Sequence, residues 1–275
     1  MMKKLLLTLS TLSLLVAIII GAYVGYDIWR SKQVEQHIAR TSAKGAHHSL
    51  KKNVNEDPIA AKKVMDQIDQ KKIDPIHDFT VDWAYLRSVN PDVVAWVWIP
   101  GTSVSYPVLQ EKTIGSFYYI NHNLYRHYQE LGSVFTPAME NTSKNAETLL
   151  FAHNSFGWYG NVYFTYLASW YKNATTATAY RYAYIYYPNG KVEQYHVWTA
   201  KATTVNDTVY ALPQEKGSDE YQSTLNQMSN HSNLVLESMR PTKQDKTLVL
   251  STCQELGHSP YRFFAGFKHI ATYQQ

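Results

Sequence analysis

The chain has 275 residues, of which 45% are hydrophobic and 14% are aromatic, and its formal net charge is +4. This length allows one or two domains. The small charge, with no dense lysine and arginine face in the C-terminal two thirds, argues against a nucleic acid partner. The 22 tyrosines and 7 tryptophans favour a domain rich in β-strands. Because Cys253 is the only cysteine, an intrachain disulfide is excluded.

The first 30 residues predict a membrane anchor. Lys3 and Lys4 precede an uncharged, apolar run over residues 5–26, which is long enough to cross a bilayer as a helix. Gly21-Ala22-Tyr23 is a poor signal-peptidase site, so we expect the anchor to be retained. Large trailing domains are translocated largely regardless of their charge. We therefore expect a single-pass protein of the cell membrane, with residues 31–275 outside the cell.

Two further regions follow the anchor, at 31–56 and 57–275. Residues 31–56 are polar and basic with little apolar periodicity, which indicates a stalk. The main domain is predicted over 57–275 and begins with helices. Asp57-Pro58 is a helix start, since an aspartate cap is followed by proline at the first helical position. A second short helix is predicted from about residue 80 to residue 89.

From residue 90 onward the pattern changes to short β-strands. Pro188-Asn189-Gly190 between two tyrosine-rich alternating runs is a strong hairpin signal. The predicted strands are 93–99, 103–110, 118–120, 132–135, 148–153, 180–187, 192–200, 247–253 and 262–270, with helices at 162–171 and 218–228. Short strands at regular spacing with few helices favour a mainly β fold, either a closed barrel or a sandwich.

Cys253 is a candidate nucleophile at the end of a predicted strand. The strand and its successor form a predicted hairpin, which places Arg262 beside Cys253. A thiol attacks as its thiolate, so it needs a base or a cationic neighbour. His153 also ends an apolar strand and is the best placed histidine, with His258 as its rival. The alternatives are a buried structural cysteine and an Arg262 paired with Glu255 at the surface.

Several stretches resemble the class B sortases, in the same order along the chain, over roughly residues 79–270. The signature around the cysteine is Thr247-Leu248-Val249-Leu250-Ser251-Thr252-Cys253 followed by Arg262. The other stretches are Asn90-Pro91-Asp92-Val93-Val94-Ala95-Trp96, Ile99-Pro100-Gly101-Thr102, Tyr106-Pro107-Val108-Leu109-Gln110, Tyr118-Tyr119-Ile120, Gly132-Ser133-Val134-Phe135 and Phe151-Ala152-His153-Asn154. The helix at 218–228 resembles the additional helix that this class carries before the cysteine strand.

The resemblance implies a closed eight-stranded sortase barrel and a membrane-tethered cysteine transpeptidase of a Gram-positive bacterium. Such an enzyme cleaves a C-terminal sorting motif in a secreted protein and holds the acyl half as a thioester, here on Cys253. An amine of a cell-wall precursor then releases it, or a pilin lysine in a polymerising variant. The resemblance also implies that His153 exchanges protons with these amines and that Arg262 positions the substrate and stabilises the oxyanion. We expect no cofactor and no metal.

The same resemblance places Leu109, Tyr210 and Ser251 in the substrate-binding groove. One departure leaves the preferred sorting motif open, because Ser105 stands where some relatives have asparagine. Two other classes of protein remain possible. A membrane-tethered binding module could hold glycan or peptide on its tyrosine- and tryptophan-rich faces, and a secreted cysteine protease would use water as acceptor. The chain lacks the local cysteine signatures of papain-like and caspase-like proteases.

Overall fold

The computed structural model describes residues 2–41, 43–45, 57–113, 115–138, 145–156, 160–254 and 259–275. His258 and Glu255, the proposed rival base and the proposed surface partner of Arg262, lie outside these ranges, as does most of the C-terminal half of the predicted stalk.

The N-terminal helix α1 spans Met2–Thr41, so it continues beyond the predicted anchor into the first part of the stalk. Its segment Leu9–Arg30 has the length and apolar composition of a membrane-crossing helix, and the most apolar window of that segment is not buried by the rest of the protein. A short strand β1 (Ala43–Gly45) follows and pairs antiparallel with β2 (Phe79–Val81).

Within the described residues, two short helices lie between β1 and the barrel. Helix α2 spans Pro58–Asp69, and the Asp57 carboxylate accepts a hydrogen bond from the Ile59 amide at 2.9 Å, which confirms the predicted start. Helix α3 spans Trp83–Val89 and is capped in the same way by Asp82. It begins later than predicted because residues 79–81 form strand β2.

Eight strands form a closed barrel. The strands of the main sheet are β3 (Val93–Trp98), β4 (Ser105–Gln110), β5 (Phe135–Thr136), β6 (Glu147–Phe151), β7 (Tyr182–Tyr186), β8 (Lys191–Thr204), β9 (Leu234–Val235), β10 (Thr247–Cys253) and β11 (Tyr261–Gln274). Their order is β11-β10-β6-β5-β4-β3-β7-β8, and β11 pairs back onto β8, with β9 outside the ring. This closure confirms the mainly β barrel over the sandwich alternative, because the first and last strands of the ring are hydrogen-bonded to each other.

The other helices within the described ranges are short and lie in the connections. They are α4 (Leu167–Trp170), α5 (Ala174–Thr178) and α6 (Asp219–Ser229), with 3₁₀ turns at Tyr118–Ile120, Thr208–Tyr210 and Glu237–Met239. The Ser218 hydroxyl accepts from the Tyr221 amide at 3.0 Å and caps α6, as the sequence predicts. Helix α4 covers only the end of the predicted 162–171 helix.

The prediction of strands at 118–120 and 132–135 is wrong over most of these residues. Residues 118–120 form a 3₁₀ turn, which the Glu111 carboxylate stabilises by accepting from the Tyr119 amide at 2.8 Å. Gly132 then passes directly over this turn with φ of 56°, and a Cβ there would lie 2.3 Å from the carbonyl oxygens of Tyr119 and Ile120. The close packing of these two segments requires glycine and leaves only β5 as strand.

The alternation along β10 separates the barrel interior from the outer face. Leu248 and Leu250 belong to the cluster that fills the barrel, whereas Val249 packs in the cluster beneath α6. Successive side chains of a strand point to opposite faces. Ser251 and Cys253 therefore share the outer face with Val249, and the candidate nucleophile lies outside the barrel core at a strand end.

Candidate active site

The strand register brings Cys253, Arg262 and His153 to one end of the barrel. Cys253 lies directly opposite Arg262 in the antiparallel pair of β10 and β11, which confirms the predicted hairpin neighbours. Strand β6 runs parallel to β10 with Phe151 level with Ser251, and the pairing continues as the Ala152 amide donates to the Ser251 carbonyl at 3.2 Å. His153 and Cys253 are thus each two residues beyond a matched pair.

All three side chains line a single cavity of about 140 Å³. The other lining residues are mainly aromatic or aliphatic: Phe117, Ile120, Phe135, Phe151, Ala152, Val205, Tyr210, Ser251 and Thr252. One edge of the cavity therefore carries the reactive groups, which are a thiol, an imidazole and a guanidinium. The rest of its wall is mainly apolar.

The imidazole of His153 is held by the 3₁₀ turn across the cavity. Its Nε2 lies 2.8 Å from the Ile120 carbonyl oxygen. A carbonyl only accepts, so Nε2 carries the hydrogen, and in the neutral ring Nδ1 is left unprotonated and able to accept a proton. Burial lowers the pKa of His153 and the Arg262 charge lowers it further, against the opposing effects of the Ile120 bond and of Glu130.

The thiol of Cys253 is partly buried. That burial raises its pKa, and the neighbouring Arg262 charge opposes the rise only in part. Burial thus disfavours the charged forms of both the thiol and the imidazole. The side-chain amide of Asn154 donates a hydrogen bond to the backbone carbonyl of Cys253 at 3.3 Å. This bond connects the loop after His153 to the end of β10.

The guanidinium of Arg262 is anchored through one nitrogen. Nη1 donates to the Ser259 carbonyl at 2.6 Å and to the Tyr261 carbonyl at 2.9 Å. Both acceptors are backbone carbonyls, which carry no net charge. The anchoring fixes a full positive charge at the cavity edge without neutralising it.

Of the three residues expected in the substrate groove, the structure brings two to the cavity. The Tyr210 hydroxyl and the Ser251 hydroxyl are 2.8 Å apart, and the Tyr210 ring stacks on Phe151 at 5.8 Å between centroids. Leu109 does not line the cavity: it is fully buried and pairs across the sheet with Phe135, which does line it.

Ser105 also lies away from the cavity. It is buried, and its hydroxyl accepts from the Trp96 indole at 3.1 Å. A difference between serine and asparagine at this position therefore acts on the packing of β3 and β4 and not directly on the cavity wall.

Sequence reasoning placed residues 118–120 in a strand and missed that this segment supports His153. The hydroxyl of Tyr119 donates to the Asp92 carboxylate at 2.5 Å, and Lys112 and Arg126 pair with the same carboxylate at 2.6 and 3.3 Å. Tyr119 directly precedes Ile120, whose carbonyl holds the imidazole. The available signal was a run of three aromatic residues, 117–119, in an otherwise polar loop.

Comparisons with known proteins agree with this architecture. No protein family model matches the chain. The sortase B of Staphylococcus aureus is 30% identical over 173 residues, which are 62% of this chain and 66% of that protein, slightly under two thirds of its length. A structure of the S. aureus sortase B–substrate complex is 24% identical with a TM-score of 0.58, and covers 76% of this chain and 92% of its own.

A structure of a sortase B complexed with triglycine is 25% identical with a TM-score of 0.59, and covers 76% of this chain and 93% of its own. The barrel closure, the strand-end cysteine and these similarities lead to one assignment. The chain belongs to the class B sortases.

Proposed function

We propose that this protein is a membrane-tethered cysteine transpeptidase that cleaves a C-terminal sorting motif and transfers the acyl half to an amine. The observation that carries the proposal is that Cys253, His153 and Arg262 line one cavity on a class B sortase barrel. A thiol, a base with an unprotonated nitrogen and a fixed cation are the groups that acyl transfer requires.

The first half of the reaction forms a thioester. The Cys253 thiol gives its proton to Nδ1 of His153, and the thiolate attacks the carbonyl carbon of the scissile peptide bond. Arg262 stabilises the negative charge that develops on the carbonyl oxygen. His153, now an imidazolium, gives the proton to the departing amine, the C–N bond breaks, and the acyl group remains on sulfur.

The second half reverses these roles. An incoming amine attacks the thioester carbonyl and loses a proton to His153, and Arg262 again stabilises the oxyanion. The C–S bond breaks, and the Cys253 thiolate takes the proton back from His153. The products are a new amide and the free enzyme.

The cavity dimensions suit a peptide substrate that inserts one side chain. An apolar protein cavity of about 150 Å³ can accommodate a benzene-sized group, and the cavity beside Cys253 has about 140 Å³ with aromatic walls. The relatives support both substrates, since one is a complex with substrate and another a complex with triglycine, which carries a free amine. The acceptor is a cell-wall precursor amine, or a lysine of another subunit if the enzyme polymerises pilins.

The domain organisation gives this chemistry its location. Residues 1–30 are the membrane anchor, and residues 5–26 of it lie inside the bilayer. Residues 31–56 are the stalk. Residues 57–275 are the catalytic domain, which lies outside the cell. The candidate span in α1 supports the anchorage by its length and composition.

The test is a peptide-library cleavage assay with the full chain in detergent, with and without amine acceptors. We expect cleavage at one sorting motif and a ligated product when an amine is present, both lost in the Cys253→Ala variant. Cleavage that never yields a ligated product would indicate a protease that uses water. Peptide binding without turnover, unchanged in Cys253→Ala, would indicate a binding module.

A further inference from the structure

Aromatic side chains mark one level of helix α1. Tyr23, Tyr26 and Trp29 lie in the last third of the candidate span Leu9–Arg30, and each is more than half exposed. Tyrosine and tryptophan concentrate where a membrane meets water, because one part of each ring is apolar and another is polar. Residues 23–29 therefore mark the level at which α1 leaves the hydrocarbon core.

The catalytic domain contacts α1 at this same level. Asp27 is only 8% exposed, whereas residues 9–26 on its N-terminal side are all exposed, so Asp27 faces the domain. Tyr128 of the domain is near enough to Asp27 for the two side chains to interact electrostatically. A hydrogen bond to Glu130, followed by burial, raises the pKa of Tyr128 to about 12, and the nearby Tyr23 and Asp27 add to the rise.

A second contact fixes the direction in which α1 leaves the membrane. His37 Nε2 and the Tyr85 hydroxyl are 2.9 Å apart, and the His37 ring also lies 6.4 Å from that of Tyr125. His37 is ten residues beyond Asp27, which is about 15 Å along a helix. The Tyr128 side of the domain is therefore the membrane side, and the Tyr85 side lies farther out.

An aromatic strip leads from Tyr128 to the mouth of the cavity. Tyr128 contacts the His122 ring edge-on at 6.1 Å and pairs with it through a backbone bridge. His122 stacks on Tyr118 at 3.8 Å, and Phe117, the preceding residue, lines the cavity. Phe117 and Tyr128 are 52% and 48% exposed. Tyr118 is 39% exposed and His122 is half-buried, so these four residues form a largely exposed aromatic strip between α1 and the active site.

We infer that this aromatic strip lies in the interfacial layer of the membrane that holds α1, so that the cavity mouth opens at the bilayer surface. The strip contacts the lipid headgroups. It meets α1 at the level of Tyr23, Tyr26 and Trp29, and these residues mark the headgroup region of the membrane. The inference rests on the proposed membrane anchorage. A substrate whose own apolar segment still lies in the bilayer would meet the mouth without leaving the membrane.

The test measures depth in the membrane and does not depend on activity. The full chain carrying Cys253→Ser is reconstituted in vesicles of phosphatidylcholine and phosphatidylglycerol, with one cysteine added at a time for an NBD fluorophore. The positions are Tyr128→Cys in the strip, Ile19→Cys in the anchor and Tyr273→Cys as the control. Tyr273 is an exposed tyrosine at the far end of β11, on the opposite end of the barrel from Arg262.

Spin-labelled lipids should quench NBD at positions 19 and 128 and leave NBD at position 273 unquenched, with a blue-shifted emission at 128 relative to 273. Quenching at 19 with none at 128 would overturn the inference and leave the anchorage standing. Absence of quenching at 19 would overturn both the anchorage and this inference, without bearing on the chemistry proposed for Cys253. Equal quenching at 128 and 273 would also contradict a membrane-facing strip.

Discussion

Replacement of Tyr119 by phenylalanine tests whether the 3₁₀ turn positions the imidazole of His153. The ring of Tyr119 is almost fully buried and its shape is retained in phenylalanine. What is lost is one hydroxyl, which donates to the Asp92 carboxylate at 2.5 Å and accepts from the Asn90 amide at 3.1 Å. Burial, with the bond to Asp92, raises the pKa of Tyr119 to about 12, so the donor is present throughout the physiological range.

The magnitude follows from what remains after the hydroxyl is removed. A hydrogen bond to a charged group contributes roughly 1.5–3 kcal/mol. Asp92 keeps its pairs with Lys112 and Arg126, and the Asn90 amide keeps its bond to the Leu124 carbonyl, which favours the lower half of that range. We expect Tyr119→Phe to reduce the free energy of unfolding by about 2 kcal/mol, equivalent to a fall of about 4–8 °C in Tm for a domain of this size.

Catalysis should be impaired even where the variant is fully folded. The Ile120 carbonyl accepts from His153 at 2.8 Å, so a looser turn displaces the imidazole from the thiol. Misplacement of a catalytic group by about 1 Å can cost up to about 100-fold in rate, so kcat/KM should fall on the order of tenfold or more at a temperature where the variant is folded.

The assay pairs thermal unfolding with peptide cleavage, and the matched control is Tyr128→Phe. Tyr128 is an exposed tyrosine in the same loop, whose hydroxyl donates to Glu130, so its variant should stay within about 0.5 kcal/mol of the wild type. Unchanged kcat/KM in a destabilised Tyr119→Phe variant would refute the positioning role, and unchanged Tm would refute the assigned network.

Three other predictions concern the site and the barrel. Activity should stay near its maximum between about pH 6.5 and 9.0, because the pKa of His153 is lowered from 6.5 and that of Cys253 is raised from 9.0; an acid limb above 6.5 would contradict this. Tyr210→Phe removes the bond to Ser251 and should raise KM for peptide more than it lowers kcat. Burial raises the pKa of Glu193, but hydrogen bonds, with that from Lys191 the strongest, lower it to about 2. The Glu193 charge therefore stabilises the fold above pH 4.5, and this stabilisation is lost as the pH falls toward 2. Denaturation of Glu193→Gln should show a loss of about 3 kcal/mol at pH 7 that shrinks in acid.

Local signals in the sequence predicted the features that depend on neighbouring residues. The cap of α6 by Ser218 and the start of α2 at Asp57 depend on bonds within a few residues. The adjacency of Cys253 and Arg262 follows from one hairpin. Each of these is fixed by periodicity or turn chemistry, so it can be read without the tertiary structure.

The features that were not predicted depend on contacts between distant parts of the chain. His153 is held by a carbonyl 33 residues away, and Tyr119 by a carboxylate 27 residues away. The apolar triplet at 118–120 has the pattern of a strand, but the Glu111 carboxylate and the close passage of Gly132 fix it as a turn. Leu109 matches the family motif and still lies outside the cavity wall, because Phe135 of the neighbouring strand occupies that position.

The central claim is that Cys253 carries the acyl half of a cleaved peptide. Its most direct test is mass spectrometry of the full chain after brief incubation with the identified sorting peptide and no amine acceptor. We predict an added mass equal to the acyl fragment, located on Cys253, sensitive to hydroxylamine and discharged by an added amine. Rapid turnover with no adduct on Cys253, or an adduct on another residue that supports transfer, would contradict the account.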